Sequence, residues 1–317
     1  MLSKALVFDG LDLKLVNREI SRDAEALVRV RQAGICGTDL QIVRGYTSFR
    51  GVLGHEFVGV VEETDDEWVI GKRVVGEINV GCMDCDMCMR GLQRHCQNRT
   101  VLGIRGRDGA FAQHLKLPVR NLHTIPDSVE DRDAVFVEPL AAAYEILEQV
   151  QVDPSWRVAV IGDGRLGILV SQVLRTVAPQ VRCFGRHERK LSILESMGIE
   201  AVNEMSHDDE RSYDMVVDAS GSEDGFKTML KLVKPRGLAV LKSTIAGQYS
   251  IDMSPLVVNE VRVVGSRCGP FKPAISALAR KLVRTAELVD AVYDLDNFRE
   301  AFSHASKPDA VKVLLRP

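Results

Sequence analysis

Five side chains that can do chemistry lie within one short span. Cys36-Gly37-Thr38-Asp39 is followed, after a mixed loop, by Gly54-His55-Glu56-Phe57-Val58-Gly59. A thiol, a hydroxyl, two carboxylates and an imidazole are spaced here by glycines. Thiolate and imidazole are zinc ligands, and a catalytic zinc keeps one position open for water or substrate. Of the two carboxylates, one can orient His55 from behind and the other can ligate or exchange. A buried cysteine and a satisfied core histidine would explain either residue alone, but not the combination.

A second thiol group is Cys82-Met-Asp-Cys85-Asp-Met-Cys88, followed after seven residues by Cys96. Four thiolates on one lobe satisfy a tetrahedral zinc with no open position, which is a structural site. An iron–sulfur cluster also begins with two such spacings, but it continues with a shorter third spacing and a proline that this chain lacks.

The elements that must position these groups change character along the chain. Up to about residue 135 the chain reads as short β-segments, among them Ala26–Arg31, Phe57–Val61, one beginning at Lys72 and one from Asp108 to near Pro118. Glu62–Val69 reads as an exposed acidic turn. From residue 156 to about 268, apolar strands alternate with amphipathic helices, as in a parallel sheet covered on both faces. The expected fold class is α/β, with a doubly wound nucleotide-binding domain beside a mainly β domain.

The strand Arg157–Ile161 runs into Gly162-Asp163-Gly164-Arg165-Leu166-Gly167 and then a helix over Ile168–Val177. A glycine-rich turn between strand and helix is the context of a dinucleotide fingerprint. Gly162 allows the turn, Gly164 lets the pyrophosphate approach, and Gly167 lets helix and strand pack. Asp163 is an awkward neighbour for a phosphate, and Arg165 is placed to offset it. An acid about 20 residues after such a motif takes the adenosine ribose hydroxyls of NAD. Gly185 stands there instead, followed by Arg186, so the 2′-phosphate of NADP is expected. Ser220, Ser243 and Thr244 follow later strand ends, where ligands of such sheets bind.

The two metal motifs resemble the catalytic-zinc signature and structural lobe of the zinc-dependent medium-chain alcohol dehydrogenase superfamily, in its sorbitol, threonine and glucose dehydrogenase branch. The resemblance runs over essentially the whole chain. It implies a GroES-like catalytic domain that is discontinuous, residues 1–140 and 270–317, around a Rossmann domain at 141–269. It implies two zinc ions, and an alcohol or polyol substrate that gives hydride to NADP or NAD. In that branch a glutamate at the position of Glu138 faces the catalytic zinc, so Glu138 and Glu56 compete as third ligand; a helix-start glutamate is the plainer alternative. Thr38 would pass the substrate proton outward, toward a position often held by histidine and here by Gln41.

Composition agrees with this class. Hydrophobic content of 45%, charged content of 27% and a net charge of -3 are ordinary for a globular chain and offer no basic field for nucleic acid. No membrane span or signal peptide is legible. Seven cysteines, four in one cluster, point to metal thiolates in a reducing cytoplasm. The expected assembly is a homodimer or homotetramer. Two rival readings are a zinc-free enone or quinone reductase and a regulatory protein that keeps the cofactor site without catalysis.

Overall fold

The computed structural model describes residues 1–21, 24–244 and 250–317. The chain divides into two compact units. The first comprises Met1–Glu138, Ala274–Arg280 and Leu288–Pro317, and the second Pro139–Pro273 and Lys281–Glu287.

The first unit is mainly β. Its central strand Ala26–Gly34 alternates buried Val28 and Val30 with exposed Arg29 and Arg31, as a strand with one solvated face must. It pairs antiparallel with Glu56–Glu63 on one side and with His114–Leu117 and Lys312–Arg316 on the other. The last of these strands comes from the C-terminal segment, so the sheet joins parts of the chain that are far apart in sequence. Two glycines let the strands of the first pairing approach, Gly34 at its end and Gly59 in its middle opposite Val30: a Cβ at Gly34 would stand 2.6 Å from Glu56 Oε2, and one at Gly59 2.6 Å from the Arg29 carbonyl oxygen.

Two expectations need correction. Glu62 and Glu63 belong to a strand, and Val69, in the short 3-10 turn Glu67–Val69, is buried rather than part of an exposed turn. The stretch from Asp108 to Gln113 is not a strand. The N–H groups of Gly109, Ala110, Phe111 and Gln113 go to the carbonyls of Val52, Gly54, Leu53 and Lys4 respectively, so no single neighbour offers a ladder, and regular pairing begins at His114.

The second unit carries a parallel sheet. Among the described residues its strands lie in the order Glu200–Val202, Gln180–Phe184, Arg157–Ile161, Tyr213–Asp218, Val233–Leu241, Arg262–Gly265. The order reverses between the strands that begin at Arg157 and Tyr213, the place where such sheets bind ligands at their C-terminal ends. Val158, Ala159 and Val160 are wholly buried, which is why this strand reads as a continuous apolar run. The helix Arg165–Arg175 lays Ile168, Leu169, Val170, Val173 and Leu174 into that core.

Candidate functional site

The first unit brings Cys36, His55 and Glu56 together. One ligand atom from each lies within 4.8 Å of the others. Cys36 is the N-cap of the helix Gly37–Val43 and donates its backbone N–H to Asp39 Oδ2 at 2.7 Å. The other oxygen, Asp39 Oδ1, accepts the Gly54 N–H at 3.2 Å and lies 3.4 Å from His55 Nδ1. Asp39 therefore ties the Cys36 turn to the His55 strand and sets the imidazole, while standing outside the ligand group. Thr38 Oγ1 is 3.8 Å from Cys36 Sγ, at the edge of the trio.

The electrostatics of this trio call for positive charge. His55 is 3% exposed, and that burial works against its protonated form. The charges of Asp39 and Cys36 outweigh the burial and hold its pKa well above the ordinary histidine value. Glu56 is wholly buried and meets the ammonium of Lys312, also wholly buried. Lys312 further lies 5.6 Å from the centre of the Phe136 ring. A thiol, an imidazole and a carboxylate at this spacing fit zinc, whose bonds of about 2.0–2.3 Å reach all three with small side-chain adjustments. Glu138 is not in this group; it is half-buried in the first turn of the helix Val137–Gln149.

Cys82, Cys85, Cys88 and Cys96 form the other group, again with all four sulfur atoms within 4.8 Å. The Cys82 N–H reaches Cys96 Sγ at 3.4 Å and, with the neighbouring thiols, lowers the Cys96 pKa to about 7. The cluster thus favours thiolate character at one member. All seven cysteines are unbridged, and the fourfold set fits a closed tetrahedral zinc.

In the second unit, Gly162, Asp163, Gly164, Gly185, Arg186 and Ser220 line one cavity of about 480 Å³. Gly167 lies behind it, where a Cβ would stand 1.8 Å from the Gly162 carbonyl oxygen, so helix and turn meet only because this residue is glycine. Arg165 and Leu166 open the helix without lining the cavity. Ser220 donates its hydroxyl to the buried Asp218 at 2.7 Å. Ser243 stands beside the cavity, accepting the Gly221 N–H at 2.8 Å, and Thr244 is exposed and does not line it.

Asp163 behaves differently from expectation. Its Oδ2 accepts the backbone N–H groups of Arg186 at 2.6 Å and His187 at 2.7 Å, and His187 Nδ1 lies 3.0 Å from both oxygens. The carboxylate is met from the loop after Gln180–Phe184. Burial opposes its ionised form, but these donors outweigh the burial and hold its pKa below the usual range. A Cβ at Gly185 would stand 2.5 Å from Asp163 Cβ. Arg186 is exposed and pairs loosely with Asp224 at 3.5 Å.

Sequence reasoning missed Lys312 and His187. The signal for Lys312 was a lone cation inside the apolar run Val311-Lys312-Val313-Leu314-Leu315. Nothing local marks His187.

Known proteins resemble the chain along its whole length. A family model described as the alcohol dehydrogenase GroES-like domain matches residues 22–127, and one described as the glucose dehydrogenase C-terminus matches residues 132–316. A sorbitol dehydrogenase of Halalkalibacterium halodurans is 28% identical, covering 92% of this chain and 91% of its own. The structure of a Sinorhizobium meliloti 1021 protein bound to NADP is 26% identical with a TM-score of 0.92, covering 100% of both chains. RspB of Escherichia coli CFT073, complexed with NADH, is likewise 26% identical with a TM-score of 0.92, over 100% of this chain and 99% of its own.

Proposed function

The chain belongs to the zinc-dependent medium-chain alcohol dehydrogenase family, in its sorbitol dehydrogenase-like branch, and on that premise we propose that it oxidises a polyol or related alcohol with NADP as the preferred hydride acceptor. The observation that carries this reading is the trio of half-buried Cys36 with buried His55 and Glu56, in a chain whose second unit holds a glycine-turn cavity.

When bound, zinc supplies Lewis acidity toward an alcohol or carbonyl oxygen, and the dinucleotide supplies the hydride acceptor. Cys36, His55 and Glu56 hold the metal, and Asp39 fixes the imidazole that does so. Thr38 is the hydroxyl placed to pass a proton outward, and Gln41 can extend the relay by hydrogen bonds but cannot titrate. Glu138, at the start of its helix, is the rival of Glu56 for the third ligand position. Cys82, Cys85, Cys88 and Cys96 hold a second, structural zinc. Gly162, Gly164 and Gly167 shape the pyrophosphate turn, with Arg165 and Leu166 opening the helix behind it, and Ser220, Ser243 and Thr244 serve as cofactor loops. Gly185 leaves the ribose corner without a side chain, and Arg186 supplies the charge for a 2′-phosphate.

Unbridged thiols suit a reducing cytoplasm, and no helix among the described residues is long and apolar enough to cross a membrane. The proposed assembly is a homodimer or homotetramer. Among the described residues, the strand Arg262–Gly265 pairs on one side only, and Val257, Val258 and Val263 are exposed near it. Light scattering at micromolar protein is expected to give a multiple of the chain mass; a monomer would contradict this assembly.

The function is tested by cofactor reduction on a panel of polyols, sugars, aliphatic alcohols and amino-alcohols, with NADP and NAD in parallel. Turnover on a polyol, faster with NADP, is expected. Turnover on none of the panel, with both metal sites loaded, would contradict the reading.

A further inference from the structure

The corner of the cavity between the glycine turn and the second strand holds a carboxylate from an unexpected place. In this sheet arrangement an acid at the end of the second strand takes the adenosine ribose hydroxyls. Position 185 carries no side chain, yet the space a side chain would enter is filled, because Asp163 Cβ and Oδ2 would lie 2.5 and 2.7 Å from a Cβ built there.

The two oxygens of Asp163 have different surroundings. Oδ2 is committed to the loop through the N–H groups of Arg186 and His187. Oδ1 has one neighbour of this kind among the described residues, His187 Nδ1 at 3.0 Å, which it shares with Oδ2. An ionised carboxylate offers about four acceptor sites, so Oδ1 retains capacity. Asp163 lines the same cavity as Arg186, whose guanidinium makes a loose, solvent-exposed pair with Asp224.

We propose that Asp163 supplies the ribose-binding carboxylate that the end of the second strand lacks, making it a specificity-determining residue that retains NAD binding beside the NADP binding conferred by Arg186. This rests on the dinucleotide reading of the cavity given above. The two cofactors then use different partners at one corner: the ribose hydroxyl of NAD is received by Asp163, and the 2′-phosphate of NADP is received by Arg186. It also explains why position 185 is glycine. Converting Gly185 to aspartate, the direct route toward NAD, has no room while Asp163 is present.

The test is isothermal titration of the full-length, zinc-loaded protein with NAD and with NADP, without substrate, so that the readout is Kd. A hydrogen bond to a charged group is worth about 1.5–3 kcal/mol, which is about tenfold or more in Kd. In Asp163→Asn the Kd for NAD is expected to rise about tenfold while that for NADP holds or tightens, shifting their ratio toward NADP. Asp163→Ser, which keeps a smaller acceptor for the loop, should shift the ratio the same way if the asparagine variant does not fold. Equal loss of both affinities would make Asp163 a loop clamp only and overturn the proposal, as would an unchanged ratio or one shifted toward NAD. Arg186→Ala separates the two readings. If it leaves NADP binding intact, the assignment of the 2′-phosphate to Arg186 fails, while the change of ratio in Asp163→Asn still decides the role of Asp163.

Discussion

Lys312 reaches Glu56 across 256 positions of sequence, and neither side chain has any exposed surface. The pair joins the last strand of the chain to the metal-binding strand, and Gly34 opens the space in which the carboxylate sits. Glu56 is thus placed between an ammonium and the two other candidate ligands.

Removing one partner of a buried ion pair leaves the other charge uncompensated, at a cost of about 3–5 kcal/mol. Lys312→Met should lower unfolding stability by that order in a denaturant titration of the metal-free protein. Glu56→Gln added to it should restore much of the loss. A Lys312→Met protein as stable as wild type would show that the pair contributes nothing.

Two zinc ions per chain are expected, from two separate donor groups. Cys85→Ser should reduce the metal content to one per chain and lower the thermal midpoint, because a closed site contributes folding energy. Atomic emission on purified protein grown with ample zinc checks both. One zinc in the wild type, or no loss in the variant, would contradict the assignment.

Asp209 gives a prediction with a sign in pH. Burial opposes its ionisation, but the Ser206 backbone N–H, the Tyr213 hydroxyl, the Ser206 hydroxyl and the Arg182 guanidinium outweigh it and lower its pKa. It accepts from Tyr213 at 2.8 Å and pairs with Arg182 at 2.5 Å. A carboxylate whose folded pKa is depressed stabilises the fold above its unfolded pKa of about 3.9, and the gain is lost as pH falls through the lowered value. Asp209→Asn should therefore cost about 1–3 kcal/mol near neutrality, with the gap to wild type closing progressively below about pH 4. A gap that is constant with pH would mean the charge is not what matters.

Much of the site was legible because its residues are close in sequence and chemically unusual together. Cys36 with His55, and the four-cysteine lobe, declare themselves by type and spacing, and the strand-to-helix glycine turn declares itself by context. Lys312 did not, because its partner is distant and a cation in a strand ordinarily faces solvent. Asp163 was misjudged for a related reason. Its position in the motif suggests a charge facing phosphate, whereas its carboxylate turns back to amides 23 and 24 residues later. Strand boundaries failed where hydrogen bonds are divided among several neighbours, as at residues 108–113.

The central claim is that Cys36, His55 and Glu56 form the reacting metal centre of a dehydrogenase. The most direct measurement compares wild type with Cys36→Ser for alcohol-dependent NADP reduction and, on the same samples, for NADP Kd and zinc content. The account predicts that turnover falls by at least about a thousandfold, that zinc drops from two per chain to one, and that Kd changes less than about twofold. Turnover that survives in Cys36→Ser with only one zinc bound would contradict it.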